Sequence, residues 1–122
     1  MIILCEDNAD QSLALRFALE HAGYVVREAP DAPTALALQR KQRAPVLITD
    51  LFMPDMDGFE LIAAFKSEFP DTKIVVISAN RPESTMNYLA SADLMGVDAT
   101  LQKPFEVTAL LAILDRMTKQ AR

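Results

Sequence analysis

The sequence predicts an α/β fold: a (βα)5 doubly wound domain over residues 1–122, with a parallel five-stranded sheet covered by helices on both faces. Two observations carry the fold. Five short apolar runs alternate with stretches of helical spacing, the pattern of successive β–α–β crossovers. The runs are nearly continuous rather than alternating in polarity, as expected of strands buried on both faces. A third observation points towards function. All five runs end in polar or charged residues, and four of those ends, at Glu6-Asp7, Asp50, Ser78 and Lys103, offer groups for a common site.

Ile2-Ile3-Leu4-Cys5 is the first strand and closes in Glu6-Asp7-Asn8. A helix is predicted from about Ala9 to Ala22, with Leu13, Phe17, Ala14 and Ala18 at helical spacing and Gly23 as its stop. Tyr24-Val25-Val26 reads as a short second strand, with Arg27 and Glu28 beyond it as solvated charges. Asp31 is the cap of a second helix, Pro33 lies in its first turn, and Ala35, Leu36 and Leu38 form the buried side. Pro45 marks entry to the third strand, which ends at Asp50. From Gly58 a third helix offers Phe59, Ile62, Ala63, Phe65 and Phe69 to the sheet, and Pro70-Asp71 ends it. Lys73-Ile74-Val75-Val76-Ile77-Ser78 is the strongest strand signal. A helix from about Glu83 to Met95 follows, with Gly96 as its stop. Ala99-Thr100-Leu101-Gln102 is a short fifth strand leading to Lys103-Pro104. The last helix sets Val107, Leu110, Leu111, Leu114 and Met117 at the three–four–seven spacing.

The 122 residues suffice for one domain with a core of its own and no disulfide staples. A net charge of -5 argues against a nucleic-acid or anionic-membrane surface. The single cysteine, Cys5, falls in an apolar run and reads as a small buried hydrophobe suited to a reducing cytoplasm. Met1-Ile2-Ile3-Leu4 runs straight into acidic residues without a basic leader, and no stretch approaches the ~18–20 apolar residues that span a bilayer. The expectation is a cytoplasmic chain, a monomer or weak dimer. Its tail, Thr118 to Arg122, suits either a free terminus or the start of a linker.

The stretch from Val46 to Gly58 is the organising one. A buried strand delivers Asp50 to the sheet rim, and a turn of Pro54, Asp55, Asp57 and Gly58 follows. An isolated carboxylate there is usually a cap or a loop solubiliser; partners decide the matter. In parallel sheets ligands bind beyond the C-terminal strand ends, so Glu6, Asp7, Asp50, Ser78 and Lys103 converge on one site. Crowded carboxylates disfavour one another's ionisation unless a cation relieves them. A hard ion such as Mg²⁺ does so with one or two direct carboxylates and waters. No His or Cys stands near to recruit zinc, and His21 reads as a surface residue. Asp50 can then act as the nucleophile in phosphoryl transfer. Lys103 supplies a positive charge for a phosphoryl oxygen, Ser78 a hydroxyl, and small Ala79 room and a backbone N–H.

These residues resemble the receiver domains of bacterial two-component response regulators across essentially the whole chain. Five elements in order carry the likeness: Glu6-Asp7, Asp50, Met53-Pro54 with Asp57-Gly58, Ser78-Ala79, and Lys103-Pro104-Phe105. The resemblance implies the flavodoxin-like strand order 2-1-3-4-5. It implies Asp50 as acceptor of a phosphoryl group from a sensor histidine kinase or histidine phosphotransfer protein, and signalling by contact with a downstream protein target. Asp7 becomes the direct Mg²⁺ ligand, Glu6 an outer-sphere one, and Phe52 a ligand through its backbone carbonyl. Lys103-Pro104 becomes a cis peptide.

In the family, phosphorylation draws in the hydroxyl residue at the Ser78 position and shifts a population of states. Many members carry an aromatic three positions before the lysine; here that residue is Thr100. The stretch from Ser78 to Lys103 is also a few residues longer than common, around Asn80-Arg81-Pro82-Glu83-Ser84. Two readings of that excess stand, a partner surface and a tolerated insertion. Phe52 and Asn80 fall where family members tune hydrolysis of the aspartyl phosphate. Phe52 cannot orient a water, so slow autodephosphorylation is expected unless Asn80 or a partner does so. Apart from self-phosphotransfer and autodephosphorylation, no enzymatic activity is expected. A docking module with an unused site is the alternative. A hydrolase would need a cap and a general acid/base, and a nucleotide-binding relative would need a Gly-rich loop after the first strand.

Overall fold

The computed structural model describes residues 1–51, 58–79 and 92–120 of the chain. Within them five parallel strands, β1 (Ile2–Cys5), β2 (Val26–Ala29), β3 (Val46–Asp50), β4 (Lys73–Ala79) and β5 (Ala99–Lys103), form one sheet in the order β2-β1-β3-β4-β5. Helices α1 (Ala9–His21), α2 (Ala32–Lys41) and α3 (Gly58–Glu68) and a C-terminal helix (Val107–Gln120) are laid on it. Residues 92–94 are helical too, and Gly96 follows at a φ of +82°, a left-handed stop that suits a residue without Cβ. The earlier part of the helix predicted from Glu83, and the loop from Asn80 to Ser84, lie outside the described residues.

The continuous apolar strands are explained by two cores. Ile3, Cys5 and Leu47 point into one, with Ala35 and Leu36 of α2 and Leu61, Ile62 and Phe65 of α3. Their alternate neighbours Ile2, Leu4 and Ile48 point into the other, with Leu19 of α1 and Leu110, Leu114 and Met117 of the C-terminal helix. Each Leu, Ile, Phe or Met among them contributes about 1.5–3 kcal/mol by leaving water. Both faces are therefore used, and an alternating pattern never arises.

Several expectations need correcting. On α1 the inward stripe is Ser12 and Leu19 with half-buried Leu15, while Leu13 and Phe17 are 43% and 61% exposed. The helical period was right and its phase was wrong, because a polar Ser12 occupies the inner face. It does so by donating from Oγ to Glu28 Oε1 at 2.8 Å. The second strand begins at Val26, after Tyr24 and Val25, so Arg27 and Glu28 lie within it. They are not solvated charges. Arg27 donates to the carbonyls of Leu38 and Gln42 at the end of α2, and Glu28 pairs with Arg16 at 3.0 Å. On α3 Ala63 faces solvent, and Leu61 takes the inner place instead.

A polar staple that periodicity does not reveal ties α2 to the sheet. Fully buried Gln39 accepts the Ala44 N–H at 2.8 Å and donates to the Ala44 carbonyl at 3.1 Å and to Thr72 Oγ1 at 3.0 Å. It fixes the entries to β3 and β4, and hence how far each strand runs before its functional end.

Candidate functional site

The parallel register brings the predicted residues to one edge. Cys5 lies opposite Thr49, Asp50 opposite Ile77, Ser78 opposite Gln102, and Ala79 opposite Lys103. Glu6 and Asp7 follow β1 directly, so both reach the rim beside Asp50 at the end of β3. The order reverses between β1 and β3, the switch point at which such sheets open a crevice.

Asp50 and Glu6 are 7% and 3% exposed, whereas Asp7 is open to solvent. Lys103 Nζ bridges them, donating to Asp50 Oδ2 at 2.9 Å and to Glu6 Oε2 at 3.0 Å. Its third acceptor among the described residues is Gln11 Oε1 at 2.6 Å. The other Glu6 oxygen accepts the Asn8 N–H at 3.2 Å, so both oxygens of that carboxylate are engaged. Burial pushes the Glu6 carboxyl above its ordinary range, and the nearby Asp50 adds to this. The Lys103 ammonium and the Asn8 N–H offset it only in part. For Lys103 burial favours the neutral amine, but the hydrogen bonds and charges of Asp50 and Glu6 outweigh it and hold the ammonium above its usual value.

Glu6, Asp7 and Asp50 each offer a carboxylate oxygen, and the three atoms lie within 4.8 Å of one another. Three carboxylates face one ammonium, leaving surplus negative charge. An all-oxygen donor set of that kind suits a hard divalent cation such as Mg²⁺ rather than zinc.

The backbone around Asp50 is closely held. The Thr49 hydroxyl donates to the Asp50 carbonyl at 2.8 Å, and the Gly58 N–H donates to the Leu51 carbonyl at 2.8 Å. A Cβ on Gly58 would stand 2.5 Å from Leu51 Cα and 2.6 Å from the Asp50 carbonyl oxygen. Gly58 is thus required where α3 returns against the end of β3. Beneath the site Cys5 is fully buried, as expected, and burial pushes its thiol up to about 12.

Ser78 is 1% exposed near the end of β4, and the Lys103–Pro104 peptide is cis. Thr100 is half-buried within β5 opposite Val76. Phe52 and Asn80 lie outside the described residues. Sequence reasoning missed Gln11 and Thr49. Thr49 was detectable as the one hydroxyl in an apolar strand; Gln11 belongs to no motif and is found only by the reach of α1 towards β5.

A doubly wound parallel sheet with an acidic trio and a lysine at its C-terminal edge defines an α/β module with a carboxylate site at its strand ends. The chain belongs to the response regulator receiver domain family, whose model matches residues 2–115. It is 32% identical over 115 residues to the DNA-binding transcriptional regulator NtrC of Rhizobium meliloti, covering 94% of this chain and 23% of that protein. It is 31% identical over 121 residues to the response regulator MprA of Mycobacterium ulcerans, covering 99% of this chain and 51% of that one. The chain therefore spans from about a quarter to about half the length of these curated relatives. Among solved structures, the chemotaxis protein CheY4 of Vibrio cholerae superposes with a TM-score of 0.82 at 30% identity, covering 95% of this chain and 96% of that one. Receiver domains of two-component systems are regulatory, bind Mg²⁺ at an acidic site and take phosphoryl groups from kinases. Among the described residues no helix is long and apolar enough to cross a membrane.

Proposed function

We propose that residues 1–122 act as one receiver domain, a phosphorylation-dependent switch with Asp50 as acceptor. The observation that carries this reading is the Lys103 bridge between Asp50 and Glu6, beside the three carboxylate oxygens within 4.8 Å. An Asp50 oxygen attacks the phosphorus of a phosphohistidine on a sensor kinase or phosphotransfer protein. The P–N bond breaks and the imidazole leaves, taking up a proton; water later cleaves the acyl phosphate and restores the carboxylate. Lys103 donates to a phosphoryl oxygen, as its existing hold on Asp50 Oδ2 supports. Ser78 and the Ala79 N–H serve the remaining oxygens.

Mg²⁺, when bound, neutralises charge on the transferring group. Exposed Asp7 and largely buried Asp50 would hold it through their carboxylates. Glu6 acts at one remove, consistent with both its oxygens being engaged. The Phe52 carbonyl as a further ligand, and Phe52 and Asn80 as tuners of phosphate lifetime, rest on the family resemblance. The downstream protein target rests on the same resemblance, whereas the cytoplasmic location and the lack of nucleic-acid and membrane partners are carried from the net charge of -5, the single cysteine and the lack of a long apolar stretch; a monomeric or weakly dimeric state completes the proposal.

The test is to incubate the chain with Mg²⁺ and acetyl phosphate and measure its intact mass beside an Asp50→Asn control. One added phosphoryl group that is absent from the control supports the reading. No adduct, even with a competent kinase, overturns it in favour of a docking module.

A further inference from the structure

We propose that Gln11 is a positioning residue for Lys103, an inference that rests on the acceptor role proposed for Asp50. The Lys103 ammonium has three N–H donors and, among the described residues, three acceptors: Asp50 Oδ2 at 2.9 Å, Glu6 Oε2 at 3.0 Å and Gln11 Oε1 at 2.6 Å. The two carboxylates must change partners when a cation and a phosphoryl group enter. Gln11 is neutral and competes for neither. It is the one anchor of the three that stays the same throughout the cycle.

The backbone that carries this exposed side chain is itself fixed. Asn8 caps α1 by accepting the Gln11 N–H at 3.0 Å, so the first turn of the helix aims the Gln11 amide across the rim towards the end of β5. Gln11 also lines a groove of about 470 Å³ with Ala14, Leu15, Lys103, Pro104 and Phe105. The groove is largely apolar, and Gln11 is the uncharged hydrogen-bonding side chain in it. Its carbonyl gives the third ammonium proton a fixed partner where the other walls give none. A lysine held at three points keeps its charge on the acceptor oxygen; one held at two swings on its four-carbon stem.

The experiment follows Asp50 phosphorylation by acetyl phosphate with Mg²⁺, using intact mass, in wild type, Gln11→Met and Gln11→Glu. Methionine keeps the length and removes the acceptor; glutamate keeps the acceptor and adds a charge beside the carboxylate trio. Gln11→Met is expected to lower the maximal rate about three- to tenfold, the range for one ordinary hydrogen bond, with half-saturating Mg²⁺ and the melting temperature unchanged. Gln11→Glu should keep the third contact of the lysine but act as a fourth carboxylate, so its half-saturating Mg²⁺ should shift from wild type. A rate for Gln11→Met equal to wild type overturns the role, as does a Gln11→Glu variant with wild-type rate and wild-type Mg²⁺ dependence. Failure of the wild type itself to take up phosphoryl groups overturns the acceptor reading, and this role with it.

Discussion

Gly58→Ala should damage stability and site together. The added Cβ would sit 2.5 Å from Leu51 Cα and 2.6 Å from the Asp50 carbonyl oxygen, where ordinary contact begins at 3.4 Å. Both neighbours are backbone, so no side chain can swing away. Relief requires the start of α3 and the end of β3 to part by about 0.9 Å. Overpacking of that kind costs about 1–3 kcal/mol, and the better helix propensity of Ala returns at most about 1. The net loss should lower the melting temperature by about 3–8 °C in a domain of this size. The same displacement moves the carrier of the acceptor carboxylate, and a misplacement near 1 Å can slow a reaction about 100-fold. Phosphorylation by acetyl phosphate should therefore fall at least tenfold. Gly23→Ala separates the two effects. Gly23 has a φ of +101° with nothing within 4 Å of a built Cβ, so that variant should lose about 1 kcal/mol of stability and keep its phosphorylation rate. The reasoning fails if Gly58→Ala melts and phosphorylates as wild type does.

Gln39→Leu should destabilise the fold by about 2–3 kcal/mol in urea titrations, because it strands the Ala44 and Thr72 polar groups in the core; an unchanged urea midpoint would mean the staple is dispensable. Mg²⁺ should raise the melting temperature, with about 2.7 kcal/mol gained at a concentration 100 times Kd, and Asp7→Asn should abolish the rise. A response to Mg²⁺ that survives Asp7→Asn would remove Asp7 from the site. The hydrogen bond from Ser12, and then Arg16, holds the Glu28 carboxyl below its ordinary 4.5. A lowered folded value means the contribution is present above 4.5 and is lost as pH falls through the folded value. Wild type and Glu28→Gln should therefore differ in stability at neutral pH and converge in acid; a constant gap would assign the contact no role. Phe52→Asn should speed loss of the phosphoryl group by supplying a side chain that orients water, and an equal or slower loss would refute that account.

The strands were readable because burial on both faces leaves a plain signal: β1 and β3 begin and end where their apolar runs do. That Asp50, its acidic neighbours and Lys103 come together was readable for the same reason, since strand ends in a parallel sheet share one edge. The phase of α1 was not. Its inner face carries Ser12, whose burial is explained only by Glu28 from β2, 16 residues away. The start of β2 slipped because Val25, a strand former by composition, is 64% exposed ahead of the edge strand. Gln39 and Gln11 were invisible for one reason: each acts through a partner distant in sequence, Thr72 and Lys103, and neither leaves a periodic trace.

The same distinction explains how the site is held together. Motif residues supply the charges, and residues outside the motif set their positions. Lys103 occupies one oxygen of Asp50 and one of Glu6, acting within the protein as the cation that the carboxylate trio requires. Under the proposed acceptor role a metal would reach Asp7 first, since Asp7 is exposed while Glu6 and Asp50 are covered. The lysine would then have no need to leave the site. It would only transfer its hold from an Asp50 oxygen to an oxygen of the phosphoryl group that this carboxylate had taken up. A compact ammonium on a flexible stem can make that short shift, whereas the planar fork of an arginine is matched to one bidentate partner. Lysine in place of arginine at the end of β5 suits that proposal: the group bridges two carboxylates here and, under the proposed role, would turn to a phosphoryl group next.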